Sequence, residues 1–157
     1  MKVRQAEKND FHWISEVFKK EWTGEFIITR GKKHYPKDIL GLIAEEGNKK
    51  VGLLTYEIVG DQLELTSLNS FKENQGIGSV LIKYLTVIAK NKGCKRIWVI
   101  TENSNLKGLR FYQKRGFVLK AVYPNVLEQS RKIKPEIPKI DENGIPIRDE
   151  IELEYII

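Results

Sequence analysis

Residues 72–79 read Lys72-Glu73-Asn74-Gln75-Gly76-Ile77-Gly78-Ser79, and they divide two stretches of different hydrophobic period. The stretch before them, Gln62 to Phe71, is strand-like. After them Ile77, Val80, Leu81, Tyr84, Leu85, Ile88 and Ala89 fall on one stripe of period 3.6, and Gly93 supplies a left-handed stop to the helix. A strand that runs through two glycines into a helix is suited to hold a pyrophosphate. First-turn amides lack partners within the helix and carry partial positive charge, and glycine lets a phosphate approach the backbone. A dinucleotide fingerprint would need a third glycine where Leu81 stands, and a Walker-type loop would need Gly-Lys-Ser or Gly-Lys-Thr, which is absent. Gly76-Ile77-Gly78 then reads as another kind of phosphate cradle, or as a tight turn into a helix and nothing more.

Upstream, Ile39 to Glu46 and Val51 to Val59 precede the strand at Gln62 as two further strands. The joints Gly47-Asn48-Lys49-Lys50 and Gly60-Asp61 make the three an antiparallel meander. Residues 22–38 have no clean period and read as irregular. Before them, Val3 to Ala6 reads as a short strand, and Asn9-Asp10 offer caps for a helix carrying Phe11, Ile14, Val17 and Phe18.

Downstream, Ile97 to Ile100 is a continuous apolar run, expected of a strand buried on both faces. Asn103 to Asn105 can cap a second helix that ends at Gly116, and Phe117 to Tyr123 returns as a strand. Residues 124–147 hold four of the five prolines and read as a helix fragment followed by a loop, and Asp149 to Ile157 alternates as a half-buried final strand. In the second helix Asn105, Gly108 and Tyr112 are spaced i, i+3 and i+7 and share one face. An amide, a gap and a phenol in line suit a slender peptide-like ligand such as pantetheine.

The two segments together resemble the GNAT superfamily of N-acetyltransferases. Its phosphate-loop motif, Arg/Gln-x-x-Gly-x-Gly/Ala, follows the fourth strand, and its helical motif is Asn-x-x-Ala-x-x-x-Tyr. Gly76-Ile77-Gly78 and Asn105 to Tyr112 match these, with Glu73 where the family has Arg or Gln and Gly108 where it has Ala. The resemblance covers Val3 to Tyr123. It implies an α/β fold with a mixed, mostly antiparallel central sheet flanked by helices. It also implies acetyl-CoA as cosubstrate. Its pyrophosphate would lie on Glu73, Asn74, Gln75, Gly76, Ile77, Gly78 and Ser79, its acetyl carbonyl and pantetheine on Leu68, Asn69 and Ser70, and its arm beside Asn105, Gly108 and Tyr112.

By the same resemblance Tyr112 protonates the leaving thiolate. Glu64, on the fourth strand, removes the amine proton, commonly through water. Plainer readings stand beside these: a core aromatic for Tyr112, a helix cap for Asn105, a solvated strand position for Glu64. The reaction implied is direct attack of an amine on the thioester in a ternary complex, without metal or covalent enzyme intermediate. An acyl-CoA-binding domain without turnover is the alternative.

Composition bounds the rest. The 157 residues, 41% hydrophobic and 31% charged, fit a single domain over 1–157, and no apolar run is long enough to span a membrane. The N-terminus enters mixed polar sequence directly, from which a cytoplasmic location is expected. Cys94 is alone and permits no internal disulfide, and His12 and His34 read as surface or packing residues with no metal expected. The net charge of +6 comes from basic residues scattered in ones and twos, which suits the phosphates of coenzyme A and does not call for nucleic acid. The partner expected is a small-molecule or peptide amine, with no nucleic acid, no membrane and room for a homodimer. Asp141, Glu142, Asp149 and Glu150 are candidates to attract a cationic acceptor, or form a solvated acidic loop.

Overall fold

The computed structural model describes residues 1–157. β1 (Lys2–Gln5) leads into α1 (Phe11–Glu21). Asp10 does not cap that helix as expected. Its buried carboxylate accepts from the Arg4 guanidinium at 2.7 and 2.9 Å and from the Glu7 amide at 2.8 Å, so the residue ties β1 to the helix entry.

Residues 22–38 are not irregular throughout. They contain a hairpin of β2 (Ile27–Thr29) and β3 (Lys32–His34), turned by Arg30-Gly31 with φ of 50° and 76°. Two positive φ values match the right-handed twist of a two-residue hairpin, but three-residue strands are too short to show a period. The meander forms as expected from β4 (Leu40–Glu46), β5 (Lys49–Val59) and β6 (Gln62–Ser70). β6 is thus the fourth strand of the main sheet. Then follow α2 (Ile77–Asn91), β7 (Arg96–Glu102), α3 (Leu106–Lys114), β8 (Val118–Tyr123), α4 (Val126–Ile133) and β9 (Glu150–Ile156).

Seven strands make one sheet in the order β1-β4-β5-β6-β7-β9-β8, and only β6 and β7 pair in parallel. The last strand inserts between its predecessors, and Leu153 at its middle is fully buried. α2 and α3 cover one face, over Leu42, Leu54, Leu63, Leu65, Ile97 and Val99. α1 and the β2 strand cover the other, where Ile14, Val17, Phe18 and Ile27 pack on Ile43 and Leu53. β7 departs from the expected double burial. Ile97 and Val99 are buried under α2 and α3, whereas Trp98 and Ile100 are half-buried on the opposite face, where a cleft begins. No helix is long and apolar enough to cross a membrane.

One irregularity positions everything that follows. Tyr56 pairs with Leu65 and Thr55 with Ser67, so Thr66 is an extra residue in β6, a bulge. Thr55 Oγ1 holds it by hydrogen bonds to Thr66 Oγ1 at 2.7 Å and Ser67 Oγ at 2.5 Å. Pairing of β6 with β7 runs from Gln62/Arg96 to Leu65/Val99 and stops there, although β6 continues to Ser70 and β7 to Glu102. Beyond the bulge the two parallel strands part, and the β7-facing edge of Thr66 to Ser70 is unpaired.

Candidate active site

Three groups of residues surround this split. The first is the loop after β6. Asn74 and Gly76 take left-handed conformations, φ 59° and 73°, which turn successive amides to one side. The N–H groups of Gln75 to Ser79 bond to no backbone carbonyl, and the first helical bond of α2 is Val80 N–H to Gly76 O at 3.1 Å. Five consecutive free donors at a helix N-terminus fit a diphosphate. Arg115 adds a cation that sequence reasoning missed. Its guanidinium donates to Ser79 Oγ at 2.9 and 2.7 Å and lies 3.6 Å from the Phe111 ring centroid. Glu73 reaches Lys107 at 3.5 Å on the surface, so its charge is balanced there.

Within this group Gly78 and Ile77 act differently from the expectation of a ligand at the glycine. A Cβ on Gly78 would stand 2.8 Å from Phe111, so its missing side chain makes room for α3 against α2, and Ile77 points into the core. What both offer a ligand is the amide.

The second group is α3. Asn105 Oδ1 accepts from the Gly108 amide at 3.0 Å and its Nδ2 donates to Thr101 Oγ1 at 2.8 Å, so the side chain is a helix cap. A Cβ on Gly108 would lie 2.4 Å from Asn105 Nδ2. The expected gap for a ligand is therefore filled by the capping amide. Tyr112, 7% exposed, packs edge-on against Phe111 and Phe117 in the main core. Its hydroxyl makes no hydrogen bond within the chain, yet every sealed side-chain polar atom has a partner, so the hydroxyl lies at an opening of that core. Burial pushes the phenol above its ordinary pKa, which keeps its proton in place at neutral pH.

The third group lies on the opposite face, around Glu64. It is 6% exposed, which removes the solvated-strand reading. Burial pushes its pKa up to about 7, and a hydrogen bond from Thr29 Oγ1 at 2.6 Å partly offsets this by favouring the carboxylate. His34, 1% exposed, places Nε2 2.7 Å from the same Thr29 oxygen, and its Nδ1 is 3.7 Å from Glu57 Oε2. The expected packing role for His34 is thus replaced by a polar cluster in which the donor atoms of His34, Glu57 and Glu64 lie within 4.8 Å of one another. Lys32 Nζ takes both Glu57 oxygens at 2.8 Å. Thr29, Lys32, Glu57 and Glu64 line a cleft of about 480 Å³ with Arg30, Gln62 and Trp98, and His34 lies sealed behind them.

Leu68, Asn69 and Ser70 edge the split from β6. Leu68 packs on the core, while Asn69 Oδ1 accepts from Trp22 Nε1 at 2.9 Å, which anchors the end of α1 over the strand. Of the acidic candidates near the C-terminus, Asp141 holds a turn, accepting from Ile145 N–H at 2.8 Å, and Asp149 ties the start of α4 to the entry of β9, accepting from Asn125 N–H at 2.7 Å. Glu150 is buried beside Arg30, whose amide it accepts at 3.1 Å.

The chain is similar to known proteins in both sequence and fold. The model of the Acetyltransferase (GNAT) family matches residues 7–117. An uncharacterized Bacillus subtilis protein, YdhI, is 42% identical over 148 residues, covering 93% of this chain and 92% of that protein. Among solved structures, a GNAT family acetyltransferase from Elizabethkingia anophelis with acetyl-CoA bound superposes with a TM-score of 0.72 at 22% identity, over 99% of this chain and 97% of its own. A Bacillus subtilis acetyltransferase in complex with CoA gives 0.73 at 19%, over 99% and 98%. At such identities what is shared with the two structures is the fold.

Proposed function

Since the chain belongs to the Acetyltransferase (GNAT) family and is an acyltransferase, we propose that it moves an acetyl group from acetyl-CoA to an amine by direct attack in a ternary complex. The observation that carries this reading is the split between β6 and β7, with a buried carboxyl of pKa about 7 on one face of the sheet and an unpartnered phenol on the other. Acetyl-CoA supplies an activated acyl carbon and a thiolate leaving group. The amides of Gln75 to Ser79, with Arg115 beside them, hold the diphosphate. The free edge of β6 at Leu68 to Ser70 receives the pantetheine amides and the acetyl oxygen, where fixed N–H dipoles stabilise developing negative charge.

Glu64 takes the proton of the attacking nitrogen. A carboxyl with a pKa about 7 is an effective base at neutral pH because enough of it is ionised while it remains a better proton acceptor than an ordinary glutamate. Tyr112 returns a proton to the departing sulfur. Asn105 and Gly108 support this from a distance, by capping the helix that carries Tyr112. The acceptor enters the cleft beside Trp98 and Glu57, which admits a small amine or the end of a peptide.

The test is a screen with acetyl-CoA and polyamines, aminoglycosides, amino acids and peptides with free N-termini, read as release of coenzyme A above spontaneous hydrolysis. Release with one acceptor class supports transfer. Tight acetyl-CoA binding with no release for any of them would make the chain an acyl-CoA-binding domain.

A further inference from the structure

We propose that Thr29 and His34, both from the β2–β3 hairpin, form a proton relay that connects Glu64 to Glu57 and through it to solvent. The inference rests on Glu64 acting as the base, and it names two positioning residues for that step. It starts from proton counting. The Thr29 hydroxyl has one proton and stands 2.6 Å from Glu64 Oε2 and 2.7 Å from His34 Nε2. When Glu64 is ionised that proton goes to the carboxylate, so His34 must supply the Nε2–H, leaving Nδ1 bare. When Glu64 carries a proton on Oε2, the carboxyl donates to Thr29, the hydroxyl turns to His34 Nε2, and the imidazole must hold its proton on Nδ1. Each state of Glu64 thus dictates one tautomer of His34.

The exit path is the passage between these states. The proton on Glu64 Oε2 moves to Thr29 Oγ1 as the hydroxyl proton moves to Nε2, and the Nδ1 proton leaves to the Glu57 carboxylate, which closes in from 3.7 Å. Glu64 ends ionised, His34 ends neutral as before, and Glu57 carries the proton. Glu57 has 22% of its side chain exposed and releases it to water, whereas His34 is sealed and the small exposed part of Glu64 faces the cleft that an acceptor fills. Burial lowers the imidazole pKa, so His34 is neutral around pH 7 and both of its nitrogens can take part. The charged groups facing the chain are Lys32, held on Glu57, and Arg30 and Glu150 across the cleft. A cation site built from His34, Glu57 and Glu64 is the rival use of the same atoms, but Lys32 and Thr29 already satisfy them.

The chain has only two histidines, so nitrogen-15 spectra of histidine-labelled protein, with His34→Gln for assignment, report the His34 tautomer directly. Between about pH 5 and 9 the tautomer should change from Nδ1–H to Nε2–H with the midpoint of Glu64, and Glu64→Gln and Thr29→Val should each abolish the change. Thr29→Ser should restore it. A His34 that keeps one tautomer while Glu64 titrates would overturn the relay, as would stoichiometric Zn²⁺ binding that His34→Gln removes. In turnover with the acceptor found by the screen, Thr29→Val and His34→Gln should each lower kcat/KM by about tenfold, and the double variant no further, against the roughly 10²-fold loss for Glu64 itself. Additive losses would break the single chain into separate effects. If no amine is acetylated, the transfer reading falls while the tautomer titration still decides whether the relay exists.

Discussion

A carboxyl group withdrawn from water releases its proton reluctantly, and for Glu64 this shifts the useful pH range into the neutral region. The acetyl-transfer kcat/KM should therefore rise with a midpoint near pH 7, set by ionisation of the base. Glu64→Gln should cost roughly 10²-fold above that midpoint and little below it, where the wild-type carboxyl is already protonated. A pH–rate series for both proteins checks this, and an unshifted rising limb in the variant would assign it to another group. Tyr112 is tested by the opposite logic. Removing the hydroxyl as Tyr112→Phe keeps the ring on Phe111 and Phe117, so melting temperature and acetyl-CoA affinity should hold while kcat falls by roughly 10²-fold. Single-turnover thiol release isolates the step, and a wild-type rate would return Tyr112 to the core. Both residues are singled out in the sequence as candidates through family likeness and spacing, but their environments are not legible there. Whether Glu64 is wet or dry depends on the β2–β3 hairpin lying over it, and His34 reaches Glu64 across 30 positions of chain with no local pattern to announce it. Arg115 escaped for the same reason, since only the packing of α3 on α2 brings it to Ser79.

At the scale of elements, the long stripe of α2 and the meander were readable because period and turn chemistry agree over many residues. Short or context-made features were not. The bulge at Thr66 leaves no mark, because Thr66 and Ser67 are both small and polar and only their partners in β5 reveal the extra residue. The insertion of β9 between β7 and β8 is a matter of topology that no window of sequence records. The Gly-x-Gly shows how one motif can serve two elements: its amides are left without backbone acceptors at the start of α2, while the absent Cβ of Gly78 faces Phe111. Gly78→Val should therefore destabilise the fold by overpacking, by about 1 to 3 kcal/mol, and Phe111→Leu in the same chain should recover part of the loss. Denaturant unfolding of the four proteins measures the coupling. Strict additivity would mean that the two residues do not meet. Gly108→Ala, which installs the residue common in the family, should change stability little, because a gain in helix propensity of up to about 1 kcal/mol is set against displacement of the Asn105 cap.

For the molecule as a whole, the site carries a cost that pH exposes. Burial raises the pKa of Glu64, Glu102 and Glu150 above the ordinary glutamate value. From the ordinary glutamate range up to about 7, where Glu64 titrates, the folded chain keeps protons that the unfolded chain has already released. Their stabilisation is complete at acidic pH and declines as pH rises through that window. His34, whose pKa burial lowers, works in the other direction, since the unfolded imidazole binds its proton first as pH falls. So does Asp10, held well below the ordinary aspartate range by hydrogen bonds from Arg4, whose contribution is lost only in strong acid. Three carboxyls against one imidazole leave a net fall in stability between mildly acidic and neutral pH, so the melting temperature should peak on the acidic side of neutrality. Glu64→Gln removes the largest part of that fall. The amide keeps an oxygen for the Thr29 hydroxyl and has no proton to lose, so the variant should melt higher than the wild type near pH 8 and close to it near pH 5, by an amount of up to a few kcal/mol at the alkaline end. Scanning calorimetry of the two proteins across that range checks the sign as well as the size. A wild type that gains stability steadily up to pH 8 would mean that Glu64 is ionised at no cost, and its role as a base poised near neutrality would go with it.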